Sequence, residues 1–93
     1  MQSPYEWDPE KAKLNMQKHD VEFDEACTVF DDSQYITFLD EEHSMDEERY
    51  ITIGLSVKSR LLMVAHTERS DNIRIISARK ATKNEEKFYQ SAG

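Results

Sequence analysis

Apolar residues recur first at helical spacing and then at strand spacing along the chain. Asp8-Pro9 is a favourable helix start, because Asp caps a helix and Pro suits its first position. We therefore expect a first helix from this pair to about His19. A second helix is predicted over residues 23–31, where four apolar side chains recur every three or four residues.

Strand patterns fill most of the remaining chain. Strands are predicted over 35–39, 49–56, 61–69 and 72–78, separated by an acidic loop (40–47), a four-residue turn (57–60) and a two-residue turn (70–71). A last helix is expected over 83–90, because Thr82 and Glu85 have the spacing of a capping box. The pattern predicts one α+β domain spanning residues 1–93. Its two layers would be helices on one face of a four-stranded antiparallel meander.

Composition narrows the class of protein. The chain has 93 residues, of which 38% are hydrophobic and 33% charged, which is typical of one soluble domain. Cys27 is the only cysteine, so no internal disulfide is possible. No secretory signal pattern and no apolar run of about 20 residues occur. We expect a cytoplasmic protein that does not enter a membrane.

The net charge of −7 bears on the partners. Nucleic-acid-binding proteins usually carry a basic surface that displaces counterions from phosphate. Non-specific binding of nucleic acid over the whole surface is therefore disfavoured, although a local basic pocket is not. An acidic surface favours a basic protein partner.

The lengths of the two predicted turns determine how the strands 49–56, 61–69 and 72–78 pair. A two-residue turn at 70–71 places Thr67 opposite Arg74, and a four-residue turn at 57–60 places Tyr50 opposite Thr67. Because residues two apart share a sheet face, one face is predicted to be apolar. It carries Ile51, Ile53, Leu55, Leu62, Val64, Ile73 and Ile75, with Arg49, His66, Glu68 and Arg79 at its margins. The other face carries Glu48, Tyr50, Thr52, Met63, Thr67, Arg69 and Arg74.

The polar face has the residue types needed for RNA cleavage. Arg74 and Arg69 are predicted to hold a phosphate, with Arg79 and Arg49 as further candidates. Cleavage through the RNA 2′-hydroxyl then requires proton transfer but no metal or other cofactor. Candidates for that transfer, among which the pattern does not choose, are Glu48, Glu68, His66 and Tyr50. The alternative is that Glu48–Arg69 and Arg49–Glu68 are ordinary cross-strand ion pairs.

Other charged residues are interpreted more simply. Lys11, Lys13 and His19 would add a basic edge if the first helix lies beside the sheet. His43 is interpreted as solvated surface of the acidic loop. Because the histidines lack metal-ligand spacing and there is one cysteine, no metal site is expected.

Several segments together resemble the BrnT family of toxins. The resemblance covers about residues 5–90. It rests on Glu6-Trp7-Asp8-Pro9-x-Lys11-Ala12, Lys18-His19, Val21-x-Phe23-x-Glu25-Ala26, His43-Ser44, Glu47-Glu48-Arg49, Arg60-Leu61-Leu62, Thr67-x-Arg69 and Ile73-Arg74-Ile75-Ile76-Ser77-Ala78-Arg79. The chain departs from the family pattern at two turns, with Asp20 in place of glycine and Ser33 in place of proline.

This resemblance implies a RelE-like ribonuclease that cleaves mRNA, free or on the ribosome, and so inhibits translation. It also implies a BrnA-like antitoxin of the ribbon-helix-helix class, through which alone the pair would contact DNA. Two other functions stay open. The chain could be an inactive antitoxin-binding module that acts as corepressor, or its polar face could pack against a second copy. A homodimer and a heterotetramer are both compatible with the sequence.

Overall fold

A five-stranded sheet forms the centre of the protein, which is described here over residues 4–92 by a computed structural model. The elements follow one another as β1 (Tyr5–Glu6), α1 (Pro9–His19), α2 (Phe23–Cys27), a 3-10 turn (Thr28–Asp31), β2 (Ile36–Leu39), a 3-10 turn (Glu41–His43), β3 (Arg49–Leu55), β4 (Leu61–Arg69), β5 (Asn72–Lys80) and α3 (Lys83–Ala92). The strand order in the sheet is β1-β5-β4-β3-β2.

The α+β class is confirmed, but the predicted four-stranded antiparallel sheet is wrong in two respects. β1 adds a fifth strand, and it runs parallel to β5, with Tyr5 opposite Ile73. The sheet is therefore mixed. A two-residue strand is too short to show the alternation from which strands are predicted.

The first helix has the bounds that its sequence signals predict. The Asp8 side chain accepts the Glu10 amide at 2.9 Å, and Asp20 ends the helix in the left-handed region at φ 57°. Asn15, buried on this helix, exchanges hydrogen bonds of 2.9 and 3.0 Å with the backbone of Ala78. These bonds fix α1 against β5.

The second predicted helix is shorter than expected. Residues 23–31 form the α-helix α2 and then a 3-10 turn, where one continuous helix was predicted. The turn brings Val29 against the sheet at Gly54, where a β-carbon would lie 3.0 Å from the Val29 carbonyl oxygen. Tertiary packing on the sheet thus changes the local geometry of this segment.

The register prediction holds for one hairpin and fails for the other. Thr67 lies opposite Arg74, as predicted, but Tyr50 lies opposite His66 and not Thr67. The Ser56 amide donates to the Arg60 carbonyl at 2.8 Å, which moves the turn by one residue. A slip of one residue sends every β3 side chain to the other face.

Helices cover both faces of the sheet, so the predicted two-layer arrangement is also wrong. One face packs under α1 and α2 and holds the main core: Val21, Phe23, Ala26, Val29, Leu62, Val64, Ile75 and Ala78. On the opposite face, Phe88 of α3 contacts Phe38 edge to face, with ring centroids 5.6 Å apart. Ile53, moved to this face by the register slip, is fully buried.

Within residues 4–92, no helix has both the length and the hydropathy required to cross a membrane.

Candidate active site

A cleft of about 430 Å³ opens on the part of the second sheet face that α3 leaves uncovered. The strands supply its floor, and the segment between β2 and β3 supplies one wall. Its cationic lining residues are Lys11, Arg49, Arg69 and Arg74, and its other polar ones are Glu42, His43, Asp46, Glu47 and Thr67. The cleft therefore brings four cationic side chains close to three carboxylates, on a protein whose net charge is −7.

The sheet register brings the arginines together. Arg49 and Arg74 lie opposite Thr67 on its two sides, one on β3 and the other on β5. Arg69 follows two residues along β4, on the same face. Because each arginine is carried by a paired strand, its backbone position is fixed before any ligand binds.

Both arginines that were predicted to bind phosphate are paired with carboxylates of the chain. Arg69 donates two hydrogen bonds to Glu47, at 2.9 and 3.0 Å, and Arg74 donates one to Glu6 at 3.0 Å. The hydrogen bond from Arg69, with a contribution from the charge of Arg74, lowers the pKa of Glu47. The guanidinium groups are thus positioned to bind an anion with two oxygens, and protein carboxylates hold that position here.

His43 lies in the same cleft and is oriented by an acid. Its Nδ1 is 2.8 Å from the Asp40 carboxylate. Ser44 accepts the Arg49 amide at 2.9 Å and donates to the Asp40 carbonyl at 2.6 Å, which ties this segment to β3. The sequence analysis assigned His43 to solvated surface. The available signals were an acid three residues before it and its position in the His43-Ser44 motif.

Thr67 forms part of the cleft floor between two arginines. The residue is only 4% exposed, and its hydroxyl has no hydrogen-bond partner within residues 4–92. A buried hydroxyl without a partner is energetically unfavourable, and this one belongs to a residue of the cleft floor. Sequence analysis placed Thr67 on the polar face without a role.

The four residues predicted for proton transfer are separated from the arginines by the sheet. Tyr50 and His66 lie opposite each other and their rings stack, with centroids 5.9 Å apart. Glu48 reaches the Tyr50 hydroxyl at 3.5 Å, and Glu68 follows two residues after His66 on the same face. Tyr50 and Glu48 were placed beside the arginines only because of the wrong hairpin register.

His66 is a core residue in this structure. It is 1% exposed, accepts or donates a 2.7 Å hydrogen bond with Thr52, and contacts the ring of Phe30. Burial lowers the pKa of His66 to about 4, so the ring is neutral near pH 7.

The remaining predicted binding residues divide between the cleft and other surfaces. Lys11 lines the cleft, and it also lines an adjoining groove that contains His19. Lys13 lies in a separate groove beside Trp7 and Phe23. Arg79 is bound by both oxygens of Glu85 on α3, at 2.8 and 3.0 Å, and does not line the cleft.

Chemically, the cleft can bind an anion and move a proton. Across residues 4–92, no three His, Cys, Asp or Glu side chains are arranged as a metal-binding group. The sole cysteine is unsuited to nucleophilic chemistry, since burial raises the pKa of Cys27 to about 12.

Comparisons with known proteins agree on one family. The model of the family described as "Ribonuclease toxin, BrnT, of type II toxin-antitoxin system" matches residues 7–85. The crystal structure of the ribonuclease toxin BrnT from Brucella abortus has the same fold, with a TM-score of 0.63 and 20% identity. That similarity covers 83% of this chain and 94% of the Brucella chain. No curated protein sequence matches this chain. The family match spans most of the chain, which therefore belongs to the BrnT family of type II toxin–antitoxin ribonuclease toxins.

Proposed function

We propose that this chain is an endoribonuclease that cleaves RNA through the 2′-hydroxyl without a metal, and that the cleft is its active site. The observation that carries the proposal is the position of Arg69 and Arg74. Both lie on paired strands in one cleft, beside a histidine oriented by a carboxylate. The parts match the demands of phosphoryl transfer, which are charge stabilisation and proton transfer.

Substrate binding begins with an exchange of anions. The scissile phosphate takes the places of Glu47 and Glu6 on the two guanidinium groups, because its oxygens satisfy the same hydrogen bonds. Arg69 and Arg74 then stabilise the additional negative charge of the pentacoordinate transition state. Lys11 and Arg49 hold neighbouring phosphates, and the Thr67 hydroxyl gains a partner.

His43 is our choice for the proton-transfer residue. Because its Nδ1 faces Asp40, its Nε2 is left to accept a proton from the 2′-hydroxyl. The 2′-oxygen then attacks phosphorus, and the bond to the 5′-oxygen breaks as that oxygen takes a proton from water. The protonated His43 afterwards returns its proton to the hydroxide that this leaves. The products are a 2′,3′-cyclic phosphate and a 5′-hydroxyl. Tyr50, Glu48, His66 and Glu68 have no part in this reaction.

The biological context that we propose is a type II toxin–antitoxin system, in keeping with the family. The substrate is mRNA, whose cleavage inhibits translation in the cytoplasm. A BrnA-like antitoxin of the ribbon-helix-helix class neutralises the toxin and supplies the DNA contacts of the complex. The net charge of −7 supports this division of roles, since DNA would be repelled by most of the toxin surface.

Expression of the chain alone tests the proposal in cells. Wild type should arrest growth and reduce bulk translation, and Arg74→Ala should do neither while remaining folded and abundant. Glu6→Gln serves as a matched control, since it removes the partner of Arg74 but leaves the guanidinium in place. Growth arrest by a well-folded Arg74→Ala variant would contradict the assignment.

A second candidate function is supported by the same ion pairs. Both arginines are already neutralised by carboxylates of the chain, as they would be in a binding module that cleaves nothing. Such a module would act as corepressor in complex with its antitoxin. It would leave growth unaffected when expressed alone, at levels where the folded protein is readily detected.

A further inference from the structure

Strand β2 ends the sheet on one side and, among the described residues 4–92, pairs with no strand but β3. The Asp40 amide donates to the Arg49 carbonyl at 2.8 Å, which fixes the alternation of bonded and non-bonded pairs along β2. The backbone N–H and C=O groups of Ile36 and Phe38 accordingly form hydrogen bonds with β3. The N–H and C=O groups of Thr37 and Leu39 point away from the sheet, where an added strand would meet them.

The surface around this edge is apolar. Phe38 is 39% exposed and Phe88, which it contacts, is 49% exposed. Leu39 and Tyr35 at either end of the strand are exposed to a similar degree. Natural edge strands are usually protected by lysine, proline or a bulge, and residues 36–39 contain none of these. An exposed apolar edge of this kind is typical of a surface that receives another strand.

The charge of the residues around β2 indicates which kind of strand could pair with it. The segment from Asp31 to Glu42 contains five acidic residues and no lysine or arginine. Two copies paired at this edge would bring together two chains that each carry a net charge of −7, with Asp40 and Glu41 directly after each β2. Like charges across strands are destabilising, so the edge repels a second copy. The same charges attract a strand with basic ends.

We infer that the β2 edge binds an extended segment of another protein, with apolar side chains at its centre and lysine or arginine at both ends. The segment adds a sixth strand through the backbone groups of Thr37 and Leu39 and covers Phe38 and Phe88. In assigning this segment to the antitoxin, the inference rests on the proposed function. The edge lies outside the cleft, since none of β2 lines it.

A synthetic peptide provides the direct test. The probe has alternating valine and threonine at its centre and a lysine pair at each end, and its control carries glutamate in place of lysine. With the lysine peptide, we expect amide exchange at Thr37 and Leu39 to be suppressed. The amides of Ile36 and Phe38, already bonded to β3, should change little. The glutamate peptide should have no effect.

Charge reversal supplies the matched variants. Asp31→Lys combined with Glu41→Lys should weaken binding of the lysine peptide about tenfold, as expected for two lost cross-strand pairs. Glu22→Lys combined with Asp24→Lys makes the same change in net charge at exposed positions of another surface, and should weaken it by no more than about twofold.

Three results of the peptide-binding experiments would overturn the inference. In the first, the lysine peptide does not suppress amide exchange at Thr37 and Leu39. In the second, the glutamate peptide binds as tightly as the lysine peptide. In the third, the two double charge reversals weaken binding of the lysine peptide equally. Concentration-dependent dimerisation that buries Thr37 and Leu39 would also overturn it, in favour of a second copy. None of these measurements involves RNA, so failure here leaves the ribonuclease proposal intact. If the ribonuclease proposal fails, binding of the lysine peptide to β2 is unaffected.

Discussion

At the scale of single residues, the carboxylate of Glu25 is the most deeply buried charge of the described structure. It is 3% exposed and is bound by two nitrogens of Arg60 and by the Ser56 hydroxyl at 2.7 Å. The hydrogen bonds from Arg60 lower the pKa of Glu25 despite the opposing effect of burial. Glu25 and Arg60 join α2 to the turn between β3 and β4, far along the sequence from each other.

Removal of Arg60 should therefore destabilise the fold strongly. Arg60→Ala leaves a buried carboxylate without its cation, and we expect a loss of about 3–5 kcal/mol in the free energy of unfolding. Urea titration measures this loss. The double variant Glu25→Gln, Arg60→Ala is the control and should recover part of it, since no charge remains buried. A loss below about 1 kcal/mol in the single variant would show that the pair contributes little.

His43 has a sharper functional prediction. His43→Gln should reduce RNA cleavage by about 10²–10⁴-fold, because proton transfer to a positioned side chain contributes about that much. Its stability should be nearly unchanged, since the side chain is exposed. Tyr50→Phe is the informative comparison, because it tests the candidate on the opposite face. Full activity of His43→Gln together with loss in Tyr50→Phe would reverse our assignment.

At the scale of elements, the sequence predicted those features that local chemistry determines. The caps of α1 and α3 are examples, since Asp8 bonds the Glu10 amide and Thr82 and Glu85 exchange hydrogen bonds. The turn at Ser70 fixed one hairpin, which placed Arg74 beside Thr67 correctly. This is why the sequence could place Arg69 and Arg74 on one face of the sheet.

The features that were missed depend on pairing and hydrogen bonds that no periodic pattern encodes, some distant in sequence and some local. β1 is a strand only because Tyr5 and Glu6 pair with β5. The first hairpin shifts by one residue because of how Ser56 bonds to Arg60, and this moved Tyr50 away from the site. His43 reaches the cleft only because the segment from Asp40 to Ser44 folds against β3, a contact that no periodic pattern indicates.

The packing of the 3-10 turn on β3 can be tested at Gly54. A β-carbon there would lie 3.0 Å from a backbone oxygen of Val29 and 3.1 Å from the β-carbon of Tyr35. Because a backbone atom must move, Gly54→Ala should cost about 1–3 kcal/mol in unfolding free energy, measured by urea titration. Unchanged stability would mean that the turn moves without cost.

At the scale of the whole molecule, charge is distributed unevenly. The net charge is −7, yet four cationic side chains line one cleft. Acidic residues elsewhere on the surface disfavour binding of polyanions outside this cleft. The segment from Asp31 to Glu42, which contains β2, has five acidic residues, one of which, Glu42, also lines the cleft. We therefore propose one surface for phosphate, at the cleft, and another for a basic partner, at the β2 edge.

Stability of the whole molecule should depend on pH through His66. Its pKa is about 4 in the folded protein and about 6.5 when unfolded, so only the unfolded state binds the proton between these values. Unfolding free energy should therefore fall as pH decreases from 6.5 to 4, by up to about 3 kcal/mol. Urea titrations across this range measure the fall. In His66→Gln, the unfolding free energy should change little with pH above pH 5. Equal pH dependence in the wild type and His66→Gln would contradict the assignment of this fall to His66.

The central claim is that the cleft cleaves RNA through the 2′-hydroxyl without a metal. The most direct measurement is cleavage of single-stranded RNA by the purified chain in a chelator, with the product ends identified. We predict 2′,3′-cyclic phosphate ends, no cleavage of a 2′-deoxy substrate, and a loss of about 10²–10³-fold in Arg74→Ala. Absence of cleavage, a requirement for metal, or equal activity of folded Arg74→Ala would contradict the claim.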